Sequence, residues 1–206
     1  MVMYDHQTDS QWWQAAGEAI TGPLKGAYLE LLPAITARWS DWLAMWPETL
    51  VLSRDTGYER DYDRDVFAGY SAIDSEPTFP VSFIDDRLQP KERVLGVEAA
   101  DGPVAYSLTA LGAWAVLHDV VDGRPVVVFS GPSDAGAVFE ATLDGRELRF
   151  SAGDEVFVDT DTGTTWDLSG RASAGPLEGK RPLAVPSFAS YWFSWATVWP
   201  ETRIEP

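Results

Sequence analysis

Gly22-Pro23-Leu24-Lys25-Gly26 and Gly175-Pro176-Leu177-Glu178-Gly179 are two copies of one short pattern, and their surroundings repeat as well. Laid without a gap, Trp13–Thr49 falls on Trp166–Thr202, with Trp13/Trp166, Gly17/Gly170, Ala19/Ala172, Pro33/Pro186, Trp39/Trp192 and Trp42/Trp195 identical. The run Trp46-Pro47-Glu48-Thr49 then meets Trp199-Pro200-Glu201-Thr202. A one-residue slip upstream also aligns Asp5 with Asp159 and Thr8 with Thr162. Most matched residues are Gly, Pro and Trp, which set turns and fill cores, so the pattern reads as a duplicated structural unit.

Each copy predicts the same course. A short strand, Val2–Tyr4 or Val156–Val158, enters a Thr-containing turn, and a second strand begins at the tryptophan. Gly-Pro-Leu-x-Gly then turns tightly, with Pro holding φ and the glycines free to take positive φ. No helix N-terminus follows these glycines, so a plain turn is preferred to an anion cradle. A further strand ends at Pro33 or Pro186. A helix follows over Thr36–Trp46 and Ser187–Trp199, with Thr36 and Ser187 as N-caps and Pro47 and Pro200 as stops. Trp39, Trp42 and Trp46 fall at i, i+3 and i+7, as do Trp192, Trp195 and Trp199. That spacing puts three indoles on one helical face, which is core in preference to a sugar-stacking platform.

Between the copies, residues 53–93 form a linker rich in Asp, Arg, Tyr and Pro, without periodicity. Strand patterns resume at Val94–Glu98, Val104–Leu108, Val116–Val121, Pro125–Ser130, Ala137–Leu143 and Glu147–Ser151. Asp122-Gly123 and Asp144-Gly145 mark hairpin turns among them. Residues 94–206 therefore read as a complete unit and residues 1–52 as the back half of one, within one compact domain. The expected fold is α+β, mostly β: a duplicated sheet unit, sandwich- or barrel-like, with one short Trp-rich helix per copy. An unfinished unit leaves an open strand edge, which suits a homodimer.

The chain has 206 residues, enough to bury a real core, and ten tryptophans supply much of that core's area. Its formal net charge of -17 repels phosphate backbones, which argues against nucleic acid as a partner. Lysine is confined to Lys25, Lys91 and Lys180. An acidic, lysine-poor chain suits a halophilic source, and high-GC coding explains it equally well. The absence of cysteine excludes disulfides, thiolate metal sites and a Cys nucleophile. No apolar run is long enough for a transmembrane helix. Met1–His6 lacks the basic and apolar regions of a signal peptide.

Four stretches carry candidate chemistry. His118-Asp119 is the one His–Asp pair, but neighbours on a strand face opposite ways and cannot form an acid–base dyad with each other. Asp61-x-Asp63-x-Asp65 has the alternate spacing of a calcium loop, so a divalent metal such as calcium is the candidate cofactor there, against the preferred reading of a solvated linker. Val66 stands where that loop needs Gly, and Ala72 where it needs the closing Glu. Asp159-Thr160-Asp161-Thr162-Gly163 looks similar, yet its Thr-Gly reads as a hairpin turn. Gly131-Pro132-Ser133-Asp134-Ala135-Gly136 is a flexible loop with a serine, without the nucleophile elbow of a hydrolase.

Val2-Met3-Tyr4-Asp5-His6-Gln7-Thr8, Gly17–Leu24, Trp46–Leu52, Pro90–Val97 and Tyr191–Trp195 together resemble the domain-of-unknown-function family numbered 3179. The resemblance covers nearly the whole chain. It implies relatives in bacteria and archaea that are often longer and often exported, with no assigned activity. Longer members resemble two full units, the first holding a His-Glu segment and a Cys-Pro-x-Cys-like segment suited to a metal or redox site. Here the stretch matching the latter is Phe129–Asp134, without cysteine, and Trp114 falls near the histidine's place. The expectation is a chain that begins at an internal methionine of a longer gene product.

These readings favour a non-catalytic binding or structural β module, with a small molecule or a protein as partner, over an enzyme. The alternative is an enzyme or metal-binding protein whose site lies between the two units, drawing on His118, Asp119 or the Asp61–Asp65 loop.

Overall fold

Alternation of apolar residues through the middle of the chain builds strands, and the Asp-Gly pairs fold them back on each other. The architecture is described from a computed structural model covering residues 1–67, 69–77, 81 and 83–206. In chain order come β1 (Val2–Tyr4), β2 (Gln11–Trp13), β3 (Glu18–Thr21) and α1 (Trp39–Met45). The next elements are β4 (Arg93–Val97), β5 (Val104–Ser107), α2 (Leu108–Leu111), β6 (Ala115–Val121), β7 (Arg124–Ser130) and β8 (Gly136–Glu140). A small hairpin, β9 (Thr142–Leu143) and β10 (Arg146–Glu147), precedes β11 (Phe150–Ala152), β12 (Phe157–Asp159), β13 (Thr165–Trp166) and β14 (Ala172–Ala174). The chain closes with β15 (Ala184–Val185), β16 (Phe188–Tyr191), α3 (Trp192–Val198) and β17 (Arg203–Glu205).

The protein is mostly β, in several open sheets with no closed barrel. The sheet orders are β1-β2-β3, β16-β4-β5-β17, β15-β8-β7-β6 and β11-β12-β13-β14, beside the β9–β10 pair. Period-two alternation decides the layering. Val127, Phe129, Ala137 and Phe139 face Phe150, Phe157 and Trp166 of the β11–β14 sheet. Val126, Val128 and Val138 point the other way, onto Leu95, Val97, Val104 and Tyr106. The reverse face of β4–β5, through Val94 and Ala105, meets Trp192, Trp195 and Ala196 of α3. The result is four stacked layers: α3, then three sheets. Asp122 and Asp144 take φ of 51° ahead of their glycines, as two-residue hairpin turns require.

The two stretches matched in sequence share local bonding. Asp5 accepts hydrogen bonds from Thr8 and the Trp12 indole, and Asp159 accepts the same from Thr162 and the Trp166 indole. Ser10 and Thr164 then accept the N–H of Leu24 and Leu177. Gly22 and Gly175 lie so close to Ser10 and Thr164 that a Cβ would stand 2.7 and 2.8 Å from their Cα atoms. These contacts correct the alignment: Trp12, not Trp13, takes the place of Trp166. The extra residue lies in the turn between β2 and β3, where length is tolerated, because Trp12 and Trp166 pair with Ala19 and Ala172 respectively.

The helices are also shorter than expected. Residues 188–191, assigned to the helix by spacing, pair with β4 as β16, and α3 starts only at Trp192. Ser187 and Thr36 are therefore not N-caps; Thr36 instead forms a β-bridge with Gly136. The first N–H groups of α3 bond the carbonyls of Glu92 and Pro90, so no side-chain cap is needed. No strand ends at Pro33, where only Tyr28 bridges Glu18. The linker's far end is built in: Arg87 donates to the carbonyls of Pro200 and Thr202, and the Trp192 indole donates to that of Asp85.

Candidate functional site

A cavity of about 550 Å³ opens where α1 meets the C-terminal half. Asp41, Ala44 and Met45 of α1 form one wall. Trp114 and Pro132 come from the ends of the β5–β6 and β7–β8 connections, and Glu155 and Val156 from the turn before β12. Asp167, Leu168, Arg171, Ala172 and Ser173 of the β13–β14 hairpin complete the floor, with Glu178 beyond. Trp114 is fixed on its inner side by the Phe157 ring, 5.6 Å between centroids.

Charge on this surface is unevenly matched. Arg38 clamps Asp41 through two nitrogens, at 2.7 and 2.9 Å, and holds its carboxyl below the usual range. Asp167 accepts the N–H and hydroxyl of Ser169 and the N–H of Arg171, which sets the turn. The side chains of Glu155, Glu178 and Arg171 make no ion pair among the described residues.

The backbone is strained at the same place. Among the described residues, seven non-glycine residues have positive φ. Asp122, Asp144 and Glu155 are explained by hairpin turns, Glu155 at the tip of the β11–β12 hairpin, and Asp9 by the turn that Gly163 makes in the matching stretch. The other three lie at the cavity: Trp114 (54°) lines it, while Ser133 and Asp134 (57° each) follow Pro132. A bulky residue such as Trp at positive φ is a genuine outlier.

His118, Asp119 and the Asp61–Asp65 loop, singled out from sequence, lie elsewhere and are not brought together. His118 Nε2 accepts the N–H of Phe150 at 3.0 Å, which ties β6 to β11. Asp119 turns the opposite way, accepting the Tyr106 hydroxyl at 2.7 Å and a bond from Arg203. Burial pushes the Asp119 carboxyl up, but Arg203, Tyr106 and the Val120 N–H outweigh it and hold the group below its ordinary value. Burial and the same carboxylate push the Tyr106 phenol far up. Asp61 accepts the N–H of Asp63, Asp65 accepts that of Phe67, and Asp63 pairs with Arg54 at 2.8 Å, all on the exposed linker. Among the described residues, no three His, Asp or Glu side chains are grouped to hold a metal. No helix of the described residues is long and apolar enough to cross a membrane.

Sequence reading missed Arg171, Glu155 and Glu178. The available signal was the Gly131–Gly136 loop, whose Pro132 the fold sets in the same cavity as Trp114. Those two segments are the ones that the resemblance equated with the Cys-Pro-x-Cys-like stretch and the histidine. No curated protein and no solved structure matches the chain. A family model described as Protein of unknown function (DUF3179) matches residues 1–202, and the chain belongs to that family.

Proposed function

We propose that the protein is a non-catalytic binding module whose ligand sits in the cavity between α1 and the β13–β14 hairpin. The observation that carries this is the left-handed backbone of Trp114, Ser133 and Asp134 at one opening. Each such conformation costs about 1–3 kcal/mol and persists only where the surroundings hold a site in shape. The volume falls within the roughly 300–1,000 Å³ of small-molecule sites, and Met45, Trp114 and Leu168 give it apolar walls with a few polar groups. Its one lining hydroxyl, Ser173, shares a hydrogen bond of 3.1 Å with Thr165.

One observation favours the second reading, an enzyme or metal-binding site between the units. The cavity is lined by α1 on one side and by residues between 114 and 178 on the other, and Glu155 and Glu178 make no ion pair among the described residues. The readings separate in a thermal-shift screen of divalent metals, anions, cations and sugars, with Trp114→Leu and Arg171→Ala alongside. A ligand at a hundredfold excess over its Kd stabilises by about 2.7 kcal/mol, and the shift should shrink in at least one variant. A calcium shift lost in Asp61→Asn with Asp63→Asn would move the site to the linker. A flat screen would leave a structural module and sink the binding proposal.

A further inference from the structure

Resting on that binding site, we infer that its ligand is a small organic cation with an apolar body. The cavity offers an indole, Trp114, anchored from behind by Phe157 and set beside Met45 and Leu168. An indole face is the best aromatic partner for an ammonium or guanidinium group. Carboxylates frame this apolar wall: Arg38 clamps Asp41 and also feels Glu155, and Glu155, Asp167 and Glu178 outnumber the one lining guanidinium, that of Arg171. The cavity's surplus is therefore negative, and the chain's net charge of -17 adds a field that draws cations in. An anion would meet one arginine against that field. A sugar would leave the carboxylates without a counter-charge. A bare metal ion would make no use of the indole.

The probes are agmatine and benzyltrimethylammonium, titrated calorimetrically at low salt into the full chain, with benzoate and glucose for comparison. The two cations should bind and the other two should not. Glu155→Gln with Glu178→Gln, both exposed and so harmless to folding, should weaken cation binding at least tenfold. Asp61→Asn with Asp63→Asn removes the same charge outside the cavity and should leave affinity unchanged. Equal weakening in both double variants would mean diffuse attraction to an acidic surface and would overturn the inference. Binding of benzoate or glucose alone, lost in Trp114→Leu, would overturn the cation and keep the binding site. Binding of no probe to the parent would count against both.

Discussion

α1 and α3 carry the same tryptophan spacing and the same internal bonds, and they meet different fates. The Trp42 indole donates to Thr49 at 2.8 Å and the Trp195 indole donates to Thr202 at 3.0 Å. Trp42 stacks on Trp46 at 4.2 Å and Trp195 on Trp199 at 4.0 Å. Yet α3 buries Trp192 and Trp195 completely, while α1 buries no residue and leaves Trp39 49% exposed. The hairpins differ less at their centres: Trp166 is at 0% exposure and its counterpart Trp12 at 7%, while Leu24, Tyr28 and Leu29 beside β1–β3 are exposed. Local sequence sets local bonds, and burial is decided by what the element lies on. α3 lies across β4, where Gly96 has no side chain and the Trp195 ring occupies its place. α1 meets the C-terminal core along Met45 and the neighbouring Ile35 and Ala37, and Asp41 and Ala44 wall the cavity beside them.

The largest effect expected from this contrast is in paired truncations. Trp195→Ala should cost about 3–5 kcal/mol, as large-to-small changes in a packed core do. Trp42→Ala, half-buried and free on one side, should cost about 1 kcal/mol for the same atoms removed. Urea unfolding followed by far-ultraviolet dichroism compares them. Equal losses would mean that α1 is covered in solution and would break the comparison.

A smaller effect separates the two aspartate turns. Asp159 is fully buried and Asp5 is half-buried, though both bind a threonine and an indole. Burial raises the Asp159 carboxyl, but Thr162, Trp166 and the Asp161 N–H outweigh it, so its folded pKa lies below the unfolded one. Its stabilisation is therefore fully present above about pH 4, the unfolded value, and is lost as pH falls through the folded value. Asp159→Asn should cost about 1–3 kcal/mol at pH 7 and less at pH 3. Asp5→Asn should show the same sign with a smaller loss. A gap that stays constant with pH would remove charge from the explanation.

How much of this was legible follows from the range of each interaction. The turns at Gly22 and Gly175, the Asp-Gly hairpins and the tryptophan stripes rest on neighbours in sequence and could be read there. The start of α3 could not, because residues 188–191 are claimed by β4, far away in the chain. Nor could the slip at Trp12, since identity favoured Trp13 and only the indole's bond to Asp5 decides it. The cavity was the least legible feature. Arg171 and Glu178 look like ordinary turn charges until the fold sets them beside Trp114 and α1. The strain there was hidden too, because a positive φ at Trp114 has no sequence mark.

That strain supplies the smallest prediction, at the junction where the two regions meet. Ser133 is exposed and holds φ of 57°, so its side chain contributes little packing. Ser133→Gly removes the cost of a left-handed residue and adds unfolded-state entropy, and the balance should raise stability by up to about 1 kcal/mol. Asp122→Gly, with φ of 51° in a plain hairpin turn, serves as the reference, although it also gives up the bond that its carboxylate accepts from the Asp101 N–H. If the loop after Pro132 is held left-handed to shape the cavity, Ser133→Gly should weaken whatever binds there as it gains stability, and Asp122→Gly should not touch binding. A stability gain with unchanged affinity would make the loop's geometry incidental, and α1 would then be the one wall left to explain the site.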